Sequence, residues 1–434
     1  MVEGMRPDAL APLLSQRLDP TWKGFPPEHP GIPLGEVGAA GWNLFRGDLG
    51  SPVAVLRRER LAHNARWMRA FLAASGASLC PHGKTTMAPQ LFHRQLAEGA
   101  WGLTLATPQQ ARVAFAHGVP RVLLANEVVD PPSLRGLGHA LDEAAERDLT
   151  LFADSPEGVA LLDRHWRAAR PLQVLVETGV PGGRCGARDR DAALAAARAV
   201  KASPRLRLRG VACYEGILAS PDADGDRRAV EAWLRELAAL ACACEAEGLF
   251  ETEEILLSAG GSAYFDLVVR ELGGAGLRAP SRVLLRSGCY LAHDAGHYQR
   301  LLARLEGRLD AAWRPEGSLE PALEVWTRVL SRPEPGLAFL DAGKRDLSHD
   351  LGLPKPGRWI PEGTHAPEPC PDTWRVTALH DQHAKLELPP DAPLKPGDRV
   401  ALQVSHPCTT FDRWPLLFEI DAEGAVLGAL RTCF

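Results

Sequence analysis

No stretch of this 434-residue chain approaches the roughly 18 uninterrupted apolar residues that a membrane-spanning helix requires. The first 20 residues lack the cationic start and apolar run of a secretory signal. Neither sign of charge dominates. Lys plus Arg number 49 against 54 Asp plus Glu, and the net charge of −5 recommends neither a nucleic-acid groove nor an anionic membrane as partner. Nine cysteines, at 80, 185, 213, 242, 244, 289, 370, 408 and 433, contain no C-x-x-C pair. An odd, scattered set argues for reduced thiols, not a disulfide frame. No G-x-G-x-x-G follows any early β-like run, so a dinucleotide fold lacks its fingerprint. The expectation is a cytoplasmic enzyme.

What is present is an ordinary globular composition, 45% apolar and 24% charged, which excludes a disordered or collagen-like chain. From residue 60 to about 290, β-rich runs alternate with helical patterns. The spacing predicts strands at 78–84, 102–107, 121–126, 149–154, 172–178, 208–215, 254–260 and 282–289. Most are apolar throughout, as strands buried on both faces of a parallel sheet should be. Leu61, Ala65, Met68, Phe71 and Leu72 form one helical stripe between them. Eight βα steps in about 230 residues favour a (β/α)8 barrel over a doubly wound open sheet. After Tyr290 prolines thicken, and β-like runs at 322–331, 336–340, 374–379, 385–388, 399–404 and 416–420 predict an all-β domain. The expected division is 1–58 (partly joining the β domain through 51–56), 59–292 (barrel) and 293–434 (β domain).

Barrel active sites are built at the C-terminal ends of strands. Lys84 ends the first, in Cys80-Pro81-His82-Gly83-Lys84. A lysine in a barrel mouth is costly unless paired, hydrated or used covalently as a neutral amine. Arg184, in Gly182-Gly183-Arg184-Cys185-Gly186, offers a planar cation on a loop whose glycines admit close approach. Tyr214 ends the next strand, either as a packing ring or as a hydrogen-bond partner. Gly260-Gly261-Ser262 and Gly288-Cys289 follow the last two strands, where barrel phosphate sites often lie. In the β domain, His406 and Cys408 stand two apart in an extended stretch and can point the same way, a donor pair that suits zinc. With fourteen histidines and nine cysteines in 434 residues, about 0.3 such pairs are expected at random, so the motif alone does not establish a zinc site. His383, beside Gln382, either joins that mouth or sits in a solvated turn.

Taken together, these motifs resemble fold-type III pyridoxal-phosphate enzymes, most closely the D-serine dehydratase and D-threonine aldolase-like group, which includes amino acid deaminases. The resemblance runs from about residue 50 to 434 with the motifs in family order. It implies an alanine-racemase-like barrel joined to a β domain, arranged as a homodimer. It also implies that Lys84 is the Schiff-base lysine for pyridoxal 5'-phosphate, with His82 beside it. Tyr214 would meet the pyridine nitrogen and Arg184 the phenolate side. Gly260, Gly261, Ser262, Gly288 and Cys289 would hold the phosphate, and His406 with Cys408 would bind a divalent metal, zinc by preference. Three positions depart from the family pattern: Cys80, Thr86 and Gln382.

The implied chemistry is metal-assisted β-elimination of a D-3-hydroxy amino acid such as D-serine, giving a 2-oxo acid and ammonia. Retro-aldol cleavage of the same substrate class is the alternative. The aldolases of the group pair the histidine with aspartate and the dehydratases with cysteine, so H-x-C favours elimination. Racemisation needs a late tyrosine as second base. The four tyrosines lie at 214, 264, 290 and 298, with none after them, which disfavours it. A non-catalytic pyridoxal-phosphate carrier would lack the β domain.

Overall fold

The computed structural model describes residues 6–434. Three of the barrel's helices begin on the same device. Thr107, Asp130 and Ser155 each accept a hydrogen bond from a backbone N–H three residues on, and each is followed by proline at the first helical position. The side chain satisfies one orphan donor, and proline arrives with its φ already helical. Each cap therefore ends a strand and starts a helix within a few residues, which is the rhythm a βα repeat requires.

The eight parallel strands are Ser78–Leu79, Leu103–Leu105, Arg121–Glu127, Asp148–Ala153, Leu172–Thr178, Leu206–Cys213, Ile255–Ala259 and Ser281–Leu285. Chain neighbours are sheet neighbours throughout. The last strand pairs with the first through Leu285 and Leu79, and a parallel bridge from His82 to Thr104 joins the first to the second. The ring is closed, as a (β/α)8 barrel must be. Inside it Cys80, Leu123, Phe152, Leu175, Ala212, Leu256 and Leu284 form a buried plug. A larger apolar shell fills the space between strands and helices.

The second unit is a β structure organised on the long strand Leu323–Glu334, which runs antiparallel to Arg399–Gln403 and to Leu337–Leu340. Val53–Arg57 enters the same sheet, antiparallel to Leu323–Trp326 and parallel to Leu416–Ile420. The barrel's first helix, Arg58–Ser75, begins at the next residue, so strand and helix are joined without slack. Glu419, nearly inaccessible in that sheet, accepts hydrogen bonds from Arg58 Nη2 (2.9 Å) and, from the barrel helix Pro89–Ala97, Arg94 Nη2 (2.6 Å). These contacts hold the β unit against the barrel.

Several elements were not expected from the sequence, three of them strands or α-helices of six residues or more. Lys355–Ile360 and Val426–Arg431 are strands, and His297–Arg308 is a helix. The first of these reads Lys-Pro-Gly, and its pairing slips by a residue between Pro356 and Arg358. Proline at such an irregularity forfeits no regular ladder bond, so the strand survives a residue that argues against it. Residues before 50 add a separate apolar core, in which Leu18, Phe25, Val37 and Phe45 pack near Trp326 and Phe418. Among the described residues, no helix is long and apolar enough to cross a membrane.

Candidate functional site

Side chains alternate along a strand, so the residues two beyond the barrel plug face the axis one layer higher. Counting on from Cys80, Leu175, Ala212, Leu256 and Leu284 gives His82, Glu177, Tyr214, Ser258 and Arg286. This polar layer closes the plug and opens into a cavity of about 700 Å³, within the usual range for a small-molecule site. The apolar-to-polar change along the strand ends is what positions the site.

Lys84 lies on the single turn Gly83–Thr85 that follows the first strand, and it lines this cavity with His82. Burial and the nearby Lys84 charge hold His82 well below the usual histidine range, so its ring is neutral. Its Nδ1 is buried without a hydrogen-bond partner.

The Gly182–Gly186 loop folds back on its own strand, with Gly179 N–H donating to Ala187 O at 2.9 Å and Ala187 N–H to Glu177 O at 2.8 Å. Gly186 is indispensable there. Its φ is +107°, and a Cβ would lie 2.5 Å from the backbone of Thr178 and Gly179. The fold-back carries Arg184 over the cavity, its guanidinium carbon 4.6 Å from the Tyr214 ring centre. Tyr214 is pushed up to about 12 by burial and then by Glu215, so the phenol keeps its proton.

The glycine loop after the seventh strand differs from its expected use. Glu215, fully buried, accepts the Gly260 N–H at 3.0 Å and the Gly261 N–H at 2.7 Å. Gly261 and Ser262 line the cavity, whereas Gly260 sits behind the wall. With those two donors taken, the backbone N–H groups of Ser262, Gly288 and Cys289 are the ones this wall offers. A Cβ on Gly288 would meet His82 O at 2.5 Å, so only glycine lets the last strand's loop lie so close to the first.

His406 and Cys408 reach the same cavity from the β unit, opposite Lys84 in origin but on one continuous surface. His406 Nδ1 lies 2.6 Å from Asp350 Oδ2, which Thr409 also contacts through Oδ1 at 2.8 Å. Burial opposes charge on His406, but Cys408 and Asp350 outweigh it and raise the imidazole to about 9. The Cys408 thiol is held well below its ordinary range by the Cys289 thiol and by His406. Cys289 Sγ stands 3.6 Å away, and the Thr85 hydroxyl 3.4 Å. Among the described residues no group of three or more His, Cys, Asp or Glu is arranged to hold a metal ion. His406 and Cys408 thus make a two-donor arrangement, open on the cavity side. His383 lies elsewhere, in the turn between Arg375–Leu379 and Ala384–Glu387, against Phe339.

Four residues that the sequence reading left without a role stand at the site. Arg286, almost wholly buried, donates to Ser258 Oγ (2.8 Å) and Cys213 O (2.6 Å), with Phe152 beneath it. Glu177 lines the cavity and is pushed up to about 8 by burial and by Glu127, whose own two oxygens are buried without partners. Asp350 braces His406. Tyr298 also lines the cavity, so counting tyrosines along the chain did not remove a phenol from the site. The cysteine sulfurs, Cys289 first, and burial hold that phenol well above its ordinary range. It is a poor base.

These features fit pyridoxal phosphate. The cavity offers a lysine on the turn after the first strand, a cation stacked on a tyrosine, an orphaned buried imidazole nitrogen and a glycine-built wall with free backbone donors.

The comparisons with known proteins agree. The alanine racemase N-terminal domain model matches residues 56–293, more than half of the chain, and a serine dehydratase domain model matches residues 322–420. The chain is 27% identical over 394 residues to a D-threonine aldolase of Arthrobacter sp., covering 89% of this chain and 90% of that protein. It is 26% identical over 413 residues to a D-threo-3-hydroxyaspartate dehydratase of Delftia sp. strain HT23, covering 87% and 96%. The crystal structure of a D-threonine aldolase from Filomicrobium marinum superposes with a TM-score of 0.75 at 25% identity, covering 90% of this chain and 97% of that one. A cysteine-to-alanine variant of a D-threo-3-hydroxyaspartate dehydratase, in its metal-free form, gives 0.69 at 22% identity, with 90% and 99% covered. With its barrel in the alanine racemase N-terminal family and its β unit matching the serine dehydratase domain, the chain belongs to the fold-type III pyridoxal-phosphate proteins.

Proposed function

We propose that this chain removes water and ammonia from a D-3-hydroxy amino acid, D-serine or a near relative, to give a 2-oxo acid. The observation that carries the reading is that Lys84 and the His406–Cys408 pair line one cavity. Pyridoxal phosphate, when bound, supplies an electron sink for the pair left at Cα. Lys84 would hold it and, once displaced by the substrate amine, take the Cα proton. A single lysine reaches one face of the substrate, which is why one enantiomer is used. Arg184 and Tyr214 would flank the ring, and the N–H groups of Ser262, Gly288 and Cys289 would hold the phosphate. Arg286, fixed by Ser258 and Cys213, lines the cavity and would add a cation to the setting of that anionic group.

His406 and Cys408 would hold a divalent metal, with zinc suited to the nitrogen–sulfur donor set. Such an ion supplies positive charge to a departing hydroxide. Asp350 keeps the imidazole oriented by accepting from Nδ1, the pattern usual for metal-ligating histidines. Support also comes from the solved cysteine-to-alanine variant of a D-threo-3-hydroxyaspartate dehydratase, which is described as a metal-free form.

Retro-aldol cleavage is the second reading, supported by the D-threonine aldolase likeness. The thiolate at position 408 favours elimination over it. Assay of D- and L-3-hydroxy amino acids for 2-oxo acid, ammonia and aldehyde separates the two. Pyruvate and ammonia from D-serine, with none from L-serine, are expected. Aldehyde and glycine as the products of the D-substrates would replace elimination with retro-aldol cleavage.

A further inference from the structure

Among the described residues one pair of cysteines is in contact. Cys289 Sγ lies 3.6 Å from Cys408 Sγ, the first from the loop after the last barrel strand and the second from the β unit. Both line the cavity, so a small solute that enters it meets both sulfurs. Cys289 can serve the phosphate wall with its backbone N–H alone. Its side chain points instead at Cys408 and at the Thr85 hydroxyl, 3.9 Å away. A disulfide requires the sulfurs to approach to about 2.05 Å, a movement of about 1.5 Å from the observed separation.

We propose that Cys289 and Cys408 form an oxidation site that closes to a disulfide when hydrogen peroxide or an alkyl hydroperoxide enters the cavity. The Cys408 sulfur attacks one peroxide oxygen, the O–O bond breaks, and the leaving oxygen departs as water or alcohol with the thiol's proton. Cys408 is then a sulfenic acid. The Cys289 sulfur attacks it, the S–O bond breaks, and hydroxide leaves with the Cys289 proton as a second water. Two thiols are oxidised by two electrons and one peroxide is reduced, so the step balances without another reactant.

The link ties the barrel mouth to the β unit and withdraws the Cys408 sulfur from the cavity. Its effect on the enzyme rests on the proposed function, because the metal pair would lose one of its two protein donors. A bound metal ion would slow the reaction by occupying the same sulfur, and a thiol reductant would reverse it. The site is therefore an off-switch that spares the protein irreversible damage, since Cys289 captures the sulfenic acid before a second peroxide does.

The test treats the metal-loaded, pyridoxal-phosphate-loaded protein with equimolar hydrogen peroxide and maps its peptides without reduction. The expected result is a joined pair of peptides containing Cys289 and Cys408, 2 Da lighter than their sum. Two thiols per chain are lost, and both return with dithiothreitol. In Cys289→Ser, given two equivalents of peroxide and read by mass alone, Cys408 should advance to sulfinic acid that dithiothreitol does not restore. Absence of the joined peptide, with Cys185 or Cys408 singly oxidised in the unaltered chain, would overturn the proposal. Metal release is measured in the same samples. A Cys289–Cys408 link formed without metal loss upholds the oxidation site and counts against the metal assignment alone.

Discussion

Asp350 Oδ2 stands 2.6 Å from His406 Nδ1 and fixes that imidazole at the cavity edge, although the two residues are 56 positions apart. Replacing the carboxylate by an amide removes the charge and leaves the shape. Asp350→Asn is predicted to weaken zinc binding by about 10- to 100-fold, the usual cost of losing such a brace, without removing it. Competition with a chromophoric chelator measures this directly. Unchanged affinity would mean that Asp350 braces nothing that binds metal.

Lys84 should be the one lysine that carries the cofactor covalently. Borohydride reduction of the loaded protein, followed by peptide mapping, should tag Lys84, and Lys84→Ala should abolish both the tag and turnover while retaining the fold. A tag on another lysine would dismantle the site assignment.

Gly288→Ala puts a methyl group 2.5 Å from His82 O, a backbone atom that cannot move without shifting the first strand's loop. A cost of about 1–3 kcal/mol in stability is expected, as for other overpacked interior positions, together with at least tenfold weaker pyridoxal-phosphate binding. Thermal unfolding and fluorescence titration read the two separately. Loss of stability with unaltered cofactor affinity would remove Gly288 from the phosphate wall.

Glu177 gives a pH signature. Its carboxyl is pushed up from about 4.5 to about 8 by burial and by Glu127, so the folded chain holds a proton that the unfolded chain has released. That costs stability as pH rises from 4.5 towards 8, and the penalty is level above 8. Glu177→Gln cannot ionise. The variant should therefore be the more stable, by a margin that grows between pH 5 and 8 to about 1–3 kcal/mol. Chemical denaturation of the cofactor-free protein at several pH values checks this. A margin independent of pH would show that Glu177 ionises normally.

The barrel was legible because its strands are short apolar runs bounded by helix caps such as Thr107-Pro108 and Ser155-Pro156. Local chemistry and pattern agree there. Lys84, Arg184, Tyr214 and the two glycine loops were legible for a positional reason, since each sits where a strand ends. Arg286 and Glu177 were equally within reach. Both lie two residues beyond a plug residue, Leu284 and Leu175, and strand parity alone sends them inward. Asp350 and Tyr298 carried no such signal. One lies in a loop of the β unit and reaches the site through the docking of that unit on the barrel, and the other lies in an unforeseen helix that packs on the barrel through Arg308 and Asp266. Glu215 was hidden differently. Next to a recognised tyrosine it read as a loop acid, yet it is fully buried because the Gly260 and Gly261 N–H groups satisfy it.

The fate of D-threonine is the most direct test of the central claim, that the His406–Cys408 pair serves elimination and not carbon–carbon cleavage. The two reactions share substrate and cofactor and differ in every carbon product. With zinc and pyridoxal phosphate bound, 2-oxobutanoate and ammonia should form in equal amounts, without acetaldehyde. Acetaldehyde and glycine in equal amounts, without 2-oxobutanoate, would contradict that claim.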